Sequence, residues 1–147
     1  MTFRDPKVER KDESGDLIAR GEQGVLELRA MRTLSGEMPA MDWYKSLEKK
    51  GIGQLKAVVS ILETSFLSGR PPAGRSSVVP ESRNGLIEIR VTSSGADRGP
   101  HLRLFAVRRK MRLYAALGIT KKSNKLKSRD KEAAERVADQ WVEREKV

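Results

Sequence analysis

Apolar positions recur at two different periods along the chain, and the changes of period divide it into elements. In Val25–Arg32, Leu26, Leu28 and Ala30 alternate with Glu27 and Arg29, the period of a half-buried strand. The run Ser35-Gly36-Glu37-Met38-Pro39 ends that pattern. Pro39 then opens a short helical stretch around Trp43 and Leu47, which Gly51 and Gly53 are expected to interrupt. Leu55, Val58, Val59, Leu62, Phe66 and Leu67 fall at helical spacing. They predict an amphipathic helix from about Gln54 to Leu67, stopped at Gly69. Residues 69–84 are rich in Pro, Gly and Ser and read as a connector. After Asn84-Gly85 the period returns to two, with Ile87, Ile89 and Val91 on one face and Glu88 and Arg90 on the other. Ser93–Pro100 reads as a turn, Leu102–Val107 as a second strand, and Arg108-Arg109-Lys110 as a basic turn. Met111–Thr120 makes a third strand, so the stretch is an antiparallel meander. A terminal helix follows, with Ser128 as N-cap, Asp130 in its first turn and Ala134, Val137, Ala138 and Trp141 as the buried stripe.

The resulting order is strand, two helices, three strands, helix. It predicts an α+β domain: a small antiparallel sheet with two N-terminal helices and a C-terminal helix packed on one side. Residues 1–24 are polar, charge-mixed and glycine-bearing, and read as a flexible lead-in. Residues 25–147 form one domain, long enough to bury a core without staples. No apolar run is long enough for a membrane span, and the first residues lack an apolar signal region. With no cysteine there is neither a disulfide frame nor a thiolate metal site, and a cytoplasmic location is expected.

Charge changes the picture. The net charge is +10, and its distribution is sharply uneven. Residues 1–84 hold 14 Lys or Arg against 12 Asp or Glu, and residues 129–147 hold 5 against 6. Residues 85–128 hold 11 against 2, so this one segment carries almost the whole excess. Such segregation points to an anionic partner, nucleic acid above all.

Several chemistries are excluded by inventory. His101 is the only histidine, so no two-histidine metal site and no Cys/His pair can form. Gly21-Glu22-Gln23-Gly24 lacks the spacing and the lysine of a phosphate-binding loop. Glu88 and Asp97 are the only carboxylates of the basic segment, a poor basis for paired-carboxylate glycosidase work. What remains is cations on neighbouring strands. Arg90, Arg103 and Arg112 come from the three strands of the meander, and Lys121, Lys122, Lys125 and Lys127 follow where it ends. Guanidinium forks grip phosphate oxygens two at a time, and ammonium groups act as point charges. Tyr114 shares the face of Arg112 by period two, and Tyr114 or Phe105 can stack on an unpaired base. Structural roles compete at each position. Arg90 can pair with Glu88, the lysines can be solvated strand-end charges, and His101 beside Pro100 reads as a surface residue.

The strings G-L-I-E-I-R at 85–90 and L-G-I-T-K-K-S-N-K at 117–125, with Arg103 between them and an Ala/Glu/Arg helix after them, resemble the RelE/HigB toxin superfamily. The similarity is to its phage-derived HigB-like branch and covers roughly Val25 to Trp141. The chain departs from that pattern at Ile119, where the branch carries Phe, at Leu126-Lys127, where it carries Thr-Pro, and at Leu117, where many members carry His. The resemblance implies the toxin of a type II toxin–antitoxin pair. Such a toxin cleaves mRNA on the ribosome by 2′-hydroxyl attack on the adjacent phosphate, without metal or cofactor. It implies that Arg90 and Arg103 stabilise the phosphorane charge, and that Lys121, Lys122 and Lys125 hold phosphates or act as acid and base. Arg112, Tyr114, Arg108, Arg109 and Lys127 are then expected to bind RNA. The expected partners are mRNA, the ribosome and an antitoxin of helix-turn-helix type encoded by an adjacent gene. A gyrase-poisoning toxin of the related ParE type, or an inactive nucleic-acid-binding protein of the same fold, are the alternatives.

Overall fold

The computed structural model describes residues 16–47, 49–72, 76–80, 83–91, 101–121 and 128–145. Among these, the alternating segments form strands β2 (Glu27–Ala30), β4 (Leu86–Val91), β5 (His101–Arg109) and β6 (Arg112–Lys121). Two further strands lie in stretches that carry no clear period: β1 (Leu17–Arg20) in the expected lead-in and β3 (Ser76–Pro80) in the expected connector. The six strands make one sheet in the order β1-β2-β6-β5-β4-β3. The meander β4-β5-β6 is antiparallel as expected, but β2 runs parallel to β6, so the sheet is mixed rather than purely antiparallel.

The parallel pair follows from the connection. Between β2 and β4 the chain crosses one face of the sheet as helices α1 (Pro39–Ser46) and α2 (Lys49–Ser68). Helix α2 continues through Gly51 and Gly53 instead of being broken by them. Each glycine costs a helix about 1 kcal/mol. Burying Leu55, Val58, Val59 and Leu62 in the core shared with β1, β2, β4, β5 and β6 outweighs that.

The C-terminal helix α3 (Ser128–Glu145) packs on the other face. Its Ala134, Ala138 and Trp141 cover Met31, Leu86, Phe105, Val107 and Ala116. Helices therefore sandwich the sheet, where the sequence pattern suggested that all of them lie on one side. The period of a strand shows that two faces differ, but here both are apolar enough to be covered. No described helix is long and apolar enough to cross a membrane.

Two close approaches fix the first face. A Cβ on Gly118 would lie 2.1 Å from the Trp43 ring, whose Nε1 donates to Thr120 Oγ1 at 3.0 Å. A Cβ on Gly21 would lie 2.3–2.5 Å from the carboxylate of Glu63. That carboxylate is fully buried and accepts the backbone N–H groups of Gln23 (2.8 Å), Val25 (2.7 Å) and Leu26 (2.8 Å). One helix side chain thus closes the β1–β2 turn. Burial pushes the Glu63 pKa up, but the three N–H groups outweigh it and hold the pKa below its ordinary value.

Candidate nucleic-acid interface

Strand alternation puts Leu86, Glu88 and Arg90 of β4 on the face covered by α3, together with Arg103, Phe105 and Val107 of β5. Arg90 is the direct cross-strand partner of Arg103. Glu88 serves both: its Oε1 accepts from Arg90 Nε (3.0 Å) and Nη2 (2.9 Å), and its Oε2 lies 3.5 Å from Arg103 Nε. The Glu88 side chain is 0% exposed, Arg103 is 2% exposed and Arg90 is 42% exposed. Desolvation lowers the Arg103 pKa, attraction to Glu88 opposes this, and repulsion from Arg90 adds to it.

The cluster holds two cations and one anion, and its outward member is Arg90. Arg103, expected from the resemblance to touch a phosphate, instead lies beneath the surface, its Nε 3.5 Å from the carboxylate that aims Arg90. His101 is on the same face two residues earlier, half-buried at the start of β5. Its Nδ1 has no hydrogen-bond partner among the described residues. Sequence reasoning set this histidine aside because Pro100 suggested an exposed turn. In the register it stands opposite Lys121, where β6 ends. Lys122, Lys125 and Lys127 lie outside the described residues.

Arg112 and Tyr114 share this face, as their spacing predicted, but they sit at its other end. Arg112 pairs with Arg109, whereas the β6 partner of Arg103 is Ile119. Seven residues of strand separate the two places, about 23 Å. Here the mixed topology assembles a second group of cations. Arg20 pairs with Glu27, Glu27 with Arg112, and Arg112 with Arg109, a single row across β1, β2, β6 and β5. Glu27 is its hub, with Arg29 Nε at 2.9 Å, Arg20 Nη2 at 3.2 Å and Arg112 Nε at 3.4 Å. Arg112 Nη1 also lies 3.4 Å from Tyr114 Oη. Tyr114 packs on Trp141, with ring centroids 5.0 Å apart, and the Arg109 guanidinium lies 4.4 Å above the Trp141 ring.

Arg108 goes to the opposite face. Its guanidinium lies 3.7 Å above the Phe66 ring, and its Nε donates to the Lys110 carbonyl at 2.9 Å. With Arg70, Pro71 and Pro72 it lines a shallow depression beside the end of α2. Arg108 and Arg109, expected in a basic turn, are the last two residues of β5, and strand alternation sends them to opposite sides of the sheet.

Sequence reasoning missed Arg20, Arg29 and Glu27. They come from the charge-balanced N-terminal half, and only the pairing of β2 with β6 adds them to the basic segment. The alternation of Glu27 and Arg29 was a visible signal that they share a face, but nothing in it named the neighbouring strand. The chain matches no family model, no curated protein and no solved structure in the three comparisons made.

Proposed function

We propose that the chain is an RNA-directed toxin of the RelE/HigB kind, an endoribonuclease that cuts mRNA presented on the ribosome. The observation that supports this reading most directly is the pair Arg90 and Arg103 joined through Glu88, beside the end of β6, after which the sequence continues with Lys122, Lys125 and Lys127. A guanidinium held in one orientation loses little freedom when it meets a phosphate, and so suits charge that develops on non-bridging oxygens. In the reaction the 2′-oxygen bonds to phosphorus, the bond to the 5′-oxygen breaks, and a base and an acid move the two protons. Arg90 takes the phosphorane charge and Arg103 positions it through Glu88. His101 and the lysines from Lys121 to Lys125 are the groups for proton transfer. Lys127, Arg112, Tyr114, Arg109 and Arg108 belong to RNA binding on this reading. The natural occupant in the resting cell is an antitoxin that covers the cationic face.

The burial of Arg103 favours a second reading, a protein of this fold that binds nucleic acid without cutting it. Inducible expression separates the two, with growth and mRNA 5′ ends followed for wild type, Arg90→Ala and Lys122→Ala. New mRNA ends and arrest with the wild type alone support the nuclease. Arrest without new ends directs attention to gyrase, and equal growth of all three strains removes the site assignment.

A further inference from the structure

Of the surfaces not used by the proposed cleavage site, the row that runs across four strands at the far end of the sheet carries the strongest chemistry. We propose that Arg20, Arg112 and Arg109, organised by Glu27 and Trp141, form a binding site for the phosphate backbone of single-stranded RNA. This rests on the RNA-directed reading above and assigns that activity a second, separate contact.

Three strand spacings give the row a length of about 14 Å. Its members are held rather than loose. Register places each beside the next, Glu27 lies within 3.4 Å of Arg20, Arg29 and Arg112, and the Trp141 ring supports Arg109. They are also accessible: the side chains of Arg20 and Arg112 are 55% and 41% exposed, and Arg109 is exposed. A carboxylate offers about four acceptor positions, whereas each guanidinium carries about five N–H donors. Glu27 therefore orients three guanidinium forks with one carboxylate, from Arg20, Arg29 and Arg112. A flat guanidinium on an aromatic ring also leaves its outer face open for a base to stack. Phosphodiesters, evenly spaced and able to accept two N–H bonds each, fit such a row better than a single carboxylate does.

The test is binding of a labelled, unstructured RNA by fluorescence anisotropy across a salt series. Wild type is set beside Arg20→Ala/Arg112→Ala and beside Lys45→Ala/Lys56→Ala, which removes two exposed charges from the helices on the opposite face. The row variant is expected to bind about tenfold or more weakly, with the log–log salt slope reduced by about 0.7 for each lost phosphate contact. The helix variant is expected to bind within about twofold of wild type, because a diffuse field alone is largely screened beyond a Debye length. Equal loss in both variants, no loss in the row variant, or no RNA binding by the wild type would overturn the inference. Circular dichroism melts of all three confirm that folding is retained. Cleavage is read separately through Arg90→Ala, so RNA binding that survives the row variant defeats this site and the RNA-binding role of Arg112, and leaves the cleavage chemistry at Arg90 to its own test. Loss of cleavage activity, conversely, leaves the binding result intact.

Discussion

Replacing Glu63 probes how far one buried carboxylate holds the N-terminal hairpin to the helices. Oε1 accepts from Gln23, and Oε2 accepts from both Val25 and Leu26. In Glu63→Gln the amide oxygen can take the Oε2 position and keep two bonds, but the NH2 group then meets the Gln23 N–H donor to donor. Losing one charge-assisted bond of this kind costs about 2 kcal/mol. Glu63→Ala abandons all three donors, the Leu26 N–H in a buried setting, and is expected to cost about 4 kcal/mol. At about 3 °C per kcal/mol for a chain of this size, melting temperatures fall by about 6 °C and 12 °C.

The pH dependence has a defined sign. The folded pKa lies below the ordinary 4.5, so the unfolded chain takes up the proton first as pH falls. The stabilisation is complete above pH 4.5 and drains away as pH drops through the lower folded value. Thermal melts of wild type and Glu63→Gln should therefore converge in acid and differ most near neutrality. A gap that stays constant across this range, or a glutamine variant as stable as wild type at neutral pH, would refute the reasoning. A cycle with Gly21→Ala adds an independent check. The new methyl strikes the Glu63 carboxylate in wild type, but finds space once that side chain is alanine, so its cost should shrink in the double variant.

Gly118→Ala drives a methyl into the Trp43 ring and is expected to lower stability by about 2–3 kcal/mol in chemical denaturation, with Trp43→Ala as a partial suppressor. Glu88→Ala removes the carboxylate beside buried Arg103 and should cost about 3 kcal/mol, and Arg90→Ala, which strips the fully buried Glu88 carboxylate of its two Arg90 contacts, should cost about 2 kcal/mol; urea midpoints of the two variants check both values. In the expression assay, Arg103→Lys is expected to impair both folding and activity, because a lysine at a site 2% exposed cannot restore the guanidinium edge that faces Glu88. Trp141→Ala should free Arg109 and uncover Tyr114, lowering stability by about 3 kcal/mol and weakening RNA binding through the second site.

The sequence by itself determined the periods, and with them most of the elements. It located the meander, the terminal helix with its Ala134, Ala138 and Trp141 stripe, and the shared faces of Glu88 with Arg90 and of Arg112 with Tyr114. It could not reveal β1 or β3. The first is four residues long, and the second lies in a proline- and serine-rich stretch at the sheet edge, where pairing rather than pattern makes the strand. The tertiary structure alone decided which face each helix covers, that Arg103 is buried, and that Glu27 stands beside Arg112. Periodicity records which side a residue is on, because that depends only on its own strand. Which neighbour it meets depends on hydrogen bonds between segments far apart in the chain, and those exist only once the strands have been ordered.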